Sequence, residues 1–265
     1  MKTFVSMGAG VQTTAMEILI AQGKIQADEF VFSDTGLEKP ETYEYIEQYL
    51  KPLAREIGIP FTTVHMDIWV DEVGPDGKHT GNKVHCTSLR DLILYRRRIP
   101  SFYMRWCTEK SKITPMKLYI RKMQAEDLYE KPAVALIGIS TDERHRMHQA
   151  HLTEYSAEFP LVSLGISRAD CYGIITNFGF PVPEKSGCYL CPFQGGREWD
   201  TLFYNHHDLF QDAMSLEKRD PKYPTYRLFQ HETLQKFADK RKLGRYQLKF
   251  SEDYEGEECS GVCML

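Results

Sequence analysis

The chain begins with an apolar strand that runs directly into a glycine-bearing loop and then into a helix. The strand covers residues 3–5, the loop residues 6–14 and the helix residues 15–20. The first N–H groups of a helix have no partner within it, so a turn of this kind attracts an anion. The residues that would contact a phosphate are Ser6, Gly8, Gly10, Thr13 and Thr14. The alternative is an ordinary strand-to-helix turn, which also favours glycine and threonine.

A second strand, loop and helix follow. The strand covers residues 29–33, and the loop after it contains Asp34, Gly36 and Glu38 ahead of a helix that begins at a proline. Acidic side chains at a strand end suit Mg²⁺ or a ribose hydroxyl. Acids at the start of a helix also stabilise its dipole without binding a ligand, so both interpretations stay open.

The alternation of strands and helices continues and predicts the fold class. Further β-forming segments lie at residues 60–65 and 133–139, with helical patterns at 41–57, 88–95, 114–123 and 168–177. This order predicts an α/β fold with a Rossmann-like, doubly wound parallel sheet. After Trp199 the pattern is mainly helical. We therefore expect an α/β domain over residues 1–198 and a helical extension with a mobile tail over residues 199–265.

Composition narrows the classes of protein. The 265 residues are enough for one large α/β domain, and the formal net charge of −4 gives no overall signature of nucleic-acid binding. No apolar run approaches the roughly 20 residues that span a bilayer, and no signal peptide precedes the first strand. We expect a cytoplasmic protein with no membrane partner, whose 7 cysteines do not form a disulfide framework.

Two cysteines are spaced for metal or redox chemistry. Cys188 and Cys191 form a CxxC pair between a Ser-Gly turn and a proline, which lets two thiolates face one metal. Cys171 lies in a predicted helix, where a buried core residue is the simplest interpretation. A run of three arginines at residues 96–98 is usually a solvated face, but this one lies just upstream of Arg105.

Three further motifs complete a series that occurs in the same order in a known family. They are Arg105-Trp106-Cys107-Thr108 with Lys112 and Pro115, then Gly138-Ile139-Ser140 through Arg144, then Ser186 through Pro192. The first loop is similar to a Ser-x-Gly-x-x-x-Ser phosphate loop, and residues 32–42 are similar to an Asp-Thr-Gly segment. From about residue 3 to about residue 200, the chain resembles the phosphoadenosine phosphosulfate (PAPS) reductase family of the PP-loop, or adenine nucleotide alpha-hydrolase-like, superfamily.

The resemblance implies a site for an adenine nucleotide, either ATP or a sulfonucleotide. It implies that the first loop holds phosphate and that five residues border the nucleotide or its Mg²⁺. These are Asp34, Gly36, Glu38, Gly138 and Ile139, the last two lining the adenine through their backbone. Arg105, Lys112 and Arg144 would neutralise phosphate or sulfate oxygens, unless they form ordinary surface ion pairs.

The resemblance also pairs the CxxC motif with Cys107. Three thiolates suit a 4Fe-4S iron–sulfur cluster better than structural zinc, because a zinc site closes with four ligands whereas a cluster can keep one iron open. Zinc and plain thiols are the alternatives. The fourth ligand, where there is one, would be Cys86, Cys259 or Cys263.

The C-terminal tail resembles a different catalytic element. Sulfonucleotide reductases end with a Glu-Cys-Gly segment whose thiolate attacks the substrate sulfur, and Cys259 resembles this nucleophile. Cys263 would then resolve the intermediate as a disulfide. The alternative is a terminus that happens to hold two cysteines.

Two enzymatic functions and one non-enzymatic function fit these motifs. The first, which we favour, is ATP-dependent adenylation of a nucleic-acid or small-molecule acceptor, followed by transfer of sulfur from a donor. Its support is the single Cys107 at a place where cluster-containing reductases carry two adjacent cysteines. The second is PAPS or adenylyl sulfate reduction on Cys259 with a thiol reductant, and the third is a nucleotide- or redox-sensing module. A homodimer is one candidate assembly.

Overall fold

Two units, each built from separate stretches of sequence, make up the computed structural model. The structure describes residues 2–147, 154–218 and 227–242. The first unit contains residues 2–66, 108–147 and 154–187, and the second contains residues 67–107, 188–218 and 227–242. The boundaries between these units differ from the expected domain boundary after residue 198, which stays a prediction. Among the described helices, none is long and apolar enough to cross a membrane.

A five-stranded parallel sheet forms the centre of the first unit. Its strands are β1 (Thr3–Met7), β2 (Glu29–Asp34), β3 (Phe61–His65), β6 (Ala133–Leu136) and β7 (Tyr155–Glu158). They are arranged in the order β3-β2-β1-β6-β7. Val5 of β1 lies beside Phe30 on one side and Leu136 on the other. The strand order reverses between β1 and β6, and this reversal marks the place where open α/β sheets bind ligands.

Helices cover both faces of this sheet. They are α1 (Val11–Ala21), α2 (Pro40–Tyr45), α3 (Lys51–Glu56), α6 (Thr114–Ala125), α7 (Pro160–Ser163) and α8 (Arg168–Phe178). Consecutive strand residues point to opposite faces, so Val5 packs with the α1 and α8 side chains whereas Phe4 packs with Met116 and Ile120 of α6. The predicted α/β fold with a parallel sheet covered on both faces is therefore confirmed.

The second unit combines a hairpin with helices. Strands β4 (Ile68–Val73) and β5 (His79–Cys86) are antiparallel, and α4 (Leu89–Arg96) follows them. Its other elements are α5 (Trp106–Thr108), whose last residue belongs to the first unit, and α9 (Gly196–Asn205), α10 (His207–Glu217) and α11 (Leu234–Lys242). Fully buried aromatic residues from the last three helices, Trp199, Phe210 and Phe237, pack together.

Four of the strands of the sheet match expected segments, but β7 and the hairpin were not predicted. The predicted turn at residues 73–78 is confirmed, because the Gly74 N–H donates to the Lys78 carbonyl at 2.8 Å. The predicted helix over residues 41–57 contains a π-helical turn, Ile46–Leu50, between α2 and α3. Cys171 is fully buried in α8, as predicted.

Glu17 is an acidic residue inside the core of the first unit. It lies on α1 with no solvent exposure, and neither carboxyl oxygen has a hydrogen-bond partner in the described part of the chain. Burial without a partner disfavours the charged form, and it raises the pKa of Glu17 to about 9. Between its ordinary pKa of 4.5 and about 9, the folded protein thus holds one more proton than the unfolded chain at this residue.

The Glu17→Gln variant tests this assignment. A carboxyl whose pKa is raised on folding lowers stability as pH rises, by up to about 1.4 kcal/mol per pH unit. We expect the free energy of unfolding of the variant, relative to that of the wild type, to increase as the pH rises from about 5 to about 8. Denaturant unfolding at both pH values measures the difference, with Glu44→Gln at an exposed position of α2 as the matched exchange. A wild-type-to-Glu17→Gln difference that stays constant with pH contradicts the assignment.

Candidate nucleotide site

The loop between β1 and α1 follows a conformation that few residues adopt. Ala9 has a φ of 53°, in the left-handed region, and it is buried between two glycines. A non-glycine residue in this region stores strain, and such strain collects at binding sites. Gly10 then begins α1 in an extended conformation, which directs the first N–H groups of the helix out of the loop.

The threonines of this loop stabilise it from within. The Gly10 N–H donates to Thr13 Oγ1 at 3.2 Å, and the Thr14 N–H donates to the Gly10 carbonyl at 2.9 Å. The Thr14 side chain has no solvent exposure. Both threonine side chains are thus buried, and phosphate contacts by Thr13 and Thr14 stay a prediction.

The end of β6 lies directly against the start of α1. A Cβ atom on Gly138 would lie 2.9 Å from Thr13 Cγ2 and 3.3 Å from the Thr13 nitrogen. Only glycine fits this approach without displacing its neighbour. Ile139, which follows it, is buried. The resemblance predicts that these two residues line the adenine, and the structure brings them to the point where the strand order reverses.

A second segment also reaches the loop. A Cβ atom on Gly10 would lie 3.0 Å from Ser186 Oγ, which places the Ser186 hydroxyl beside the first turn of α1. The Lys39 N–H donates to the Gly187 carbonyl at 3.2 Å, which joins this segment to the loop after β2. Sequence reasoning quoted Ser186 only as part of a motif and did not include it among the site residues.

The loop after β2 is held by its own side chains. Asp34 Oδ1 accepts hydrogen bonds from the Gly36 N–H at 2.8 Å and from the Tyr43 hydroxyl at 2.7 Å. Gly36 has a φ of 73°, which favours glycine. Burial and the hydrogen bond to Asp34 raise the pKa of Tyr43, so its hydroxyl stays a donor. Thr35 donates to Glu38 at 3.1 Å.

Lys112 lies at the same edge of the sheet. Its ammonium is 3.7 Å from the buried Glu38 carboxylate, so the acid orients the cation. Lys112 belongs to a π-helical turn, Glu109–Ile113, that leads into α6. Turns of this type occur frequently at functional sites. Ser33 stabilises the turn by donating to the Ser111 and Lys112 carbonyls at 3.1 and 3.2 Å.

A cavity opens between the ends of β1 and β2 and the start of α6. Ser6, Gly8 and Lys112 are among its lining residues, together with Met116 and Tyr155. It encloses about 30 Å³, enough for a water molecule. A nucleotide base requires more room than this cavity offers.

Charged residues after β6 form a cluster around Glu143. This mostly buried carboxylate accepts hydrogen bonds from Gln12 of the first loop at 2.9 Å and from Arg146 at 2.5 Å, and Arg168 lies 3.8 Å away. Arg144, the predicted site residue, is exposed in the same 3₁₀ segment, Thr141–Arg146. Arg146, two positions after the end of that motif, was not among the predicted site residues.

The predicted thiolate ligands all lie in the second unit. Cys107, Cys188 and Cys191 are partly exposed thiols. The Arg105 guanidinium lies 4.8 Å from the centre of the Phe193 ring. Since Arg105 is two residues from Cys107 and Phe193 is two residues from Cys191, this contact makes the two cysteine-bearing segments neighbours.

In the described ranges, no three His, Cys, Asp or Glu side chains are arranged to hold a metal ion. Soft thiol donors on adjacent segments are nevertheless the donor chemistry that an iron–sulfur cluster requires. Cys86 is fully buried, and burial raises the pKa of its thiol to about 11. Cys259 and Cys263 lie outside the described residues.

Comparisons of the chain with family models and with curated proteins found no match. The resemblance to a family therefore rests on the sequence motifs alone and stays an expectation.

The Gly138→Ala variant tests the close approach at the end of β6. Its methyl group would press on Thr13, so we expect a loss of about 1–3 kcal/mol in the free energy of unfolding. Gly173→Ala in α8 is the matched control, because a Cβ atom there meets nothing within 4 Å. That exchange should raise stability by up to about 1 kcal/mol. Equal unfolding free energies for the two variants contradict the packing described here.

Proposed function

We propose that this chain is an enzyme of the PAPS reductase family that binds ATP, adenylates an acceptor and supports the transfer of sulfur to it. The observation that carries the proposal is the loop between β1 and α1. A left-handed Ala9, the first turn of α1 and the Gly138 backbone meet at the reversal of the strand order. Open α/β sheets bind nucleotides at such a point.

Phosphate binding by this loop follows from its electrostatics. The aligned peptide dipoles of α1 place a partial positive charge at Gly10 and Val11, next to the Ser186 hydroxyl. Lys112 supplies a full positive charge at the same strand ends, and Glu38 keeps its ammonium in place. These groups suit a polyphosphate, whose negative charge is spread over several oxygens.

The proposed reaction has two steps. An oxygen of the acceptor attacks the α-phosphorus of ATP, a new P–O bond forms and pyrophosphate leaves. A sulfide-level donor then attacks the activated carbon and AMP leaves with the oxygen, so no external oxidant is required. Positioning and neutralisation of the phosphates by the loop and Lys112 would lower the barrier to the first step.

Cys107, Cys188 and Cys191 are the residues that would hold a 4Fe-4S cluster. Their support is their presence in one unit and the contact of Arg105 with Phe193, which brings their segments side by side. When bound, such a cluster would offer an iron site for sulfur chemistry. The partly exposed thiols leave access from solvent for the sulfur donor.

Nucleotide binding is tested by calorimetric titration with ATP and, separately, with PAPS. We expect ATP to bind and Lys112→Ala to weaken it about tenfold or more, because a charged contact to phosphate is lost. Lys117→Ala, in the helix α6 that follows the turn of Lys112, is the matched control and should bind as the wild type does. Tight binding of PAPS with no binding of ATP would reject adenylation in favour of sulfonucleotide reduction. Binding of neither rejects the nucleotide site.

The cluster is tested by anaerobic purification with iron and sulfide analysis. We expect a brown protein whose absorption and iron content are lost in Cys107→Ala, since that exchange removes one of three thiolates. Cys171→Ala removes a thiol of the first unit and should leave the iron content unchanged. An identical iron content in the wild type and Cys107→Ala removes the metal assignment.

A further inference from the structure

We propose that the segment from Tyr95 to Arg105, called here the arginine segment, binds a single-stranded nucleic acid. The inference deepens the proposed function by naming the class of acceptor, and only the acceptor role depends on that function. Binding itself depends on the side chains of the second unit. The segment ends two residues before Cys107.

Charge is the first support for this surface. The four arginines of the segment are Arg96, Arg97, Arg98 and Arg105. No acidic residue occurs between Asp91 and Glu109, although the whole chain has a net charge of −4. Glu72 of β4 faces the segment: hydrogen bonds from Asn82 and Thr80 lower the pKa of its carboxyl most, and the charge of Arg97 lowers it further. A local excess of arginine in an acidic protein attracts a polyanion.

An exposed aromatic ring is the second support. Tyr103 is 86% exposed, the largest exposure among the exposed large hydrophobic side chains of the described chain. It lies at the tip of a tight turn in which the Ser101 and Met104 backbones exchange hydrogen bonds at 3.2 and 3.0 Å. Its neighbour Phe102 packs against Phe193 with ring centres 5.0 Å apart. The ring is thus presented to solvent from an anchored turn, which reduces the entropy lost when a partner stacks on it.

The backbone keeps the arginines and the turn together. Arg97 adopts a left-handed conformation, with a φ of 45°, which ends α4 and turns the chain. Arg98 then contacts the Met104 sulfur at 3.1 Å across the base of the turn. Arg98 is therefore held at the base of the turn that carries Tyr103, and Arg96 and Arg97 directly precede it in the chain.

This combination favours single strands over duplexes. Base stacking on a side chain requires unpaired bases, whereas a duplex is bound through its grooves by an inserted helix or strand. A single ring with adjacent cations is the minimal form of a stacking platform with backbone neutralisation. An acidic peptide would use the arginines but would gain little from the Tyr103 ring.

Fluorescence anisotropy on the full chain tests the proposal, with labelled oligouridylate and oligothymidylate of about 12 nucleotides and a duplex of the same length. We expect single strands to bind, and Tyr103→Ala to weaken them by about fivefold to a hundredfold, as loss of one stacked base does. Tyr103→Phe should bind as the wild type does, because stacking needs the ring alone. The ribose and deoxyribose strands distinguish an RNA from a DNA acceptor.

Matched variants separate this surface from general effects. Tyr204→Ala removes another exposed tyrosine of the second unit and should change affinity by less than about twofold. Arg96→Ala with Arg97→Ala should reduce the salt slope of log affinity by about 1.4, whereas Lys78→Ala with Lys83→Ala on the hairpin should not. Four results would each overturn the proposal. They are equal losses of affinity in Tyr103→Ala and Tyr204→Ala, equal salt slopes in the arginine and lysine double variants, tighter binding of the duplex than of single strands, and no binding of single strands.

The outcome is independent of the nucleotide test. Strand binding that depends on Tyr103, in a protein that does not bind ATP, keeps this surface and rejects the adenylation reaction. ATP binding with no strand binding keeps the nucleotide site and rejects this acceptor class. Thermal unfolding of each variant shows whether a loss of binding comes from a loss of fold.

Discussion

The close approach of two backbones organises the candidate site. The end of β6 lies so near the first turn of α1 that Gly138 cannot carry a side chain without displacing Thr13. This contact brings the loops of two strands that are neighbours in space but far apart in sequence to one place. The strained Ala9 and the Ser186 hydroxyl lie at the same turn. The positive end of the α1 dipole is therefore next to the β1–α1 loop, the Gly138 backbone and the segment of Ser186.

The local sequence pattern predicted the strands that are buried and apolar or rich in β-forming residues. The strands β1 and β2 are mostly apolar and almost entirely buried, and β3 is rich in β-forming residues, so all three could be predicted from the sequence. β7 has only four residues, preceded by the buried Glu154, and gave no such pattern. The hairpin strand β5 is almost entirely exposed, so it lacks the apolar alternation that marks a strand. The division into two units, each built from separate stretches of sequence, depends on long-range packing, so no local pattern could predict it.

The residues of the candidate site that the sequence predicted are those whose type is dictated by the backbone. The residues that it missed form contacts with side chains far away in the sequence. Gly36 is required by a positive φ and Gly138 by a close contact, and both were identified from motifs. Glu143 meets Gln12 across 131 positions, so its role had no local signal. Nothing in the residues next to Glu17 shows that its carboxyl is buried without a partner, because α1 is buried almost all round. Its burial comes from the packing of α8, α3 and α7 against α1, not from its neighbours in sequence.

The interleaving of the two units also bears on how the chain matures on the ribosome. All strands of the parallel sheet have been synthesised once residue 187 has emerged, and the sheet can close. The stretch from Asp67 to Cys107, already outside the exit tunnel, must wait for the residues after Cys188 to complete its own unit. During this interval its apolar side chains, such as Leu92 and Ile93, lack part of their final packing and are open to chaperones.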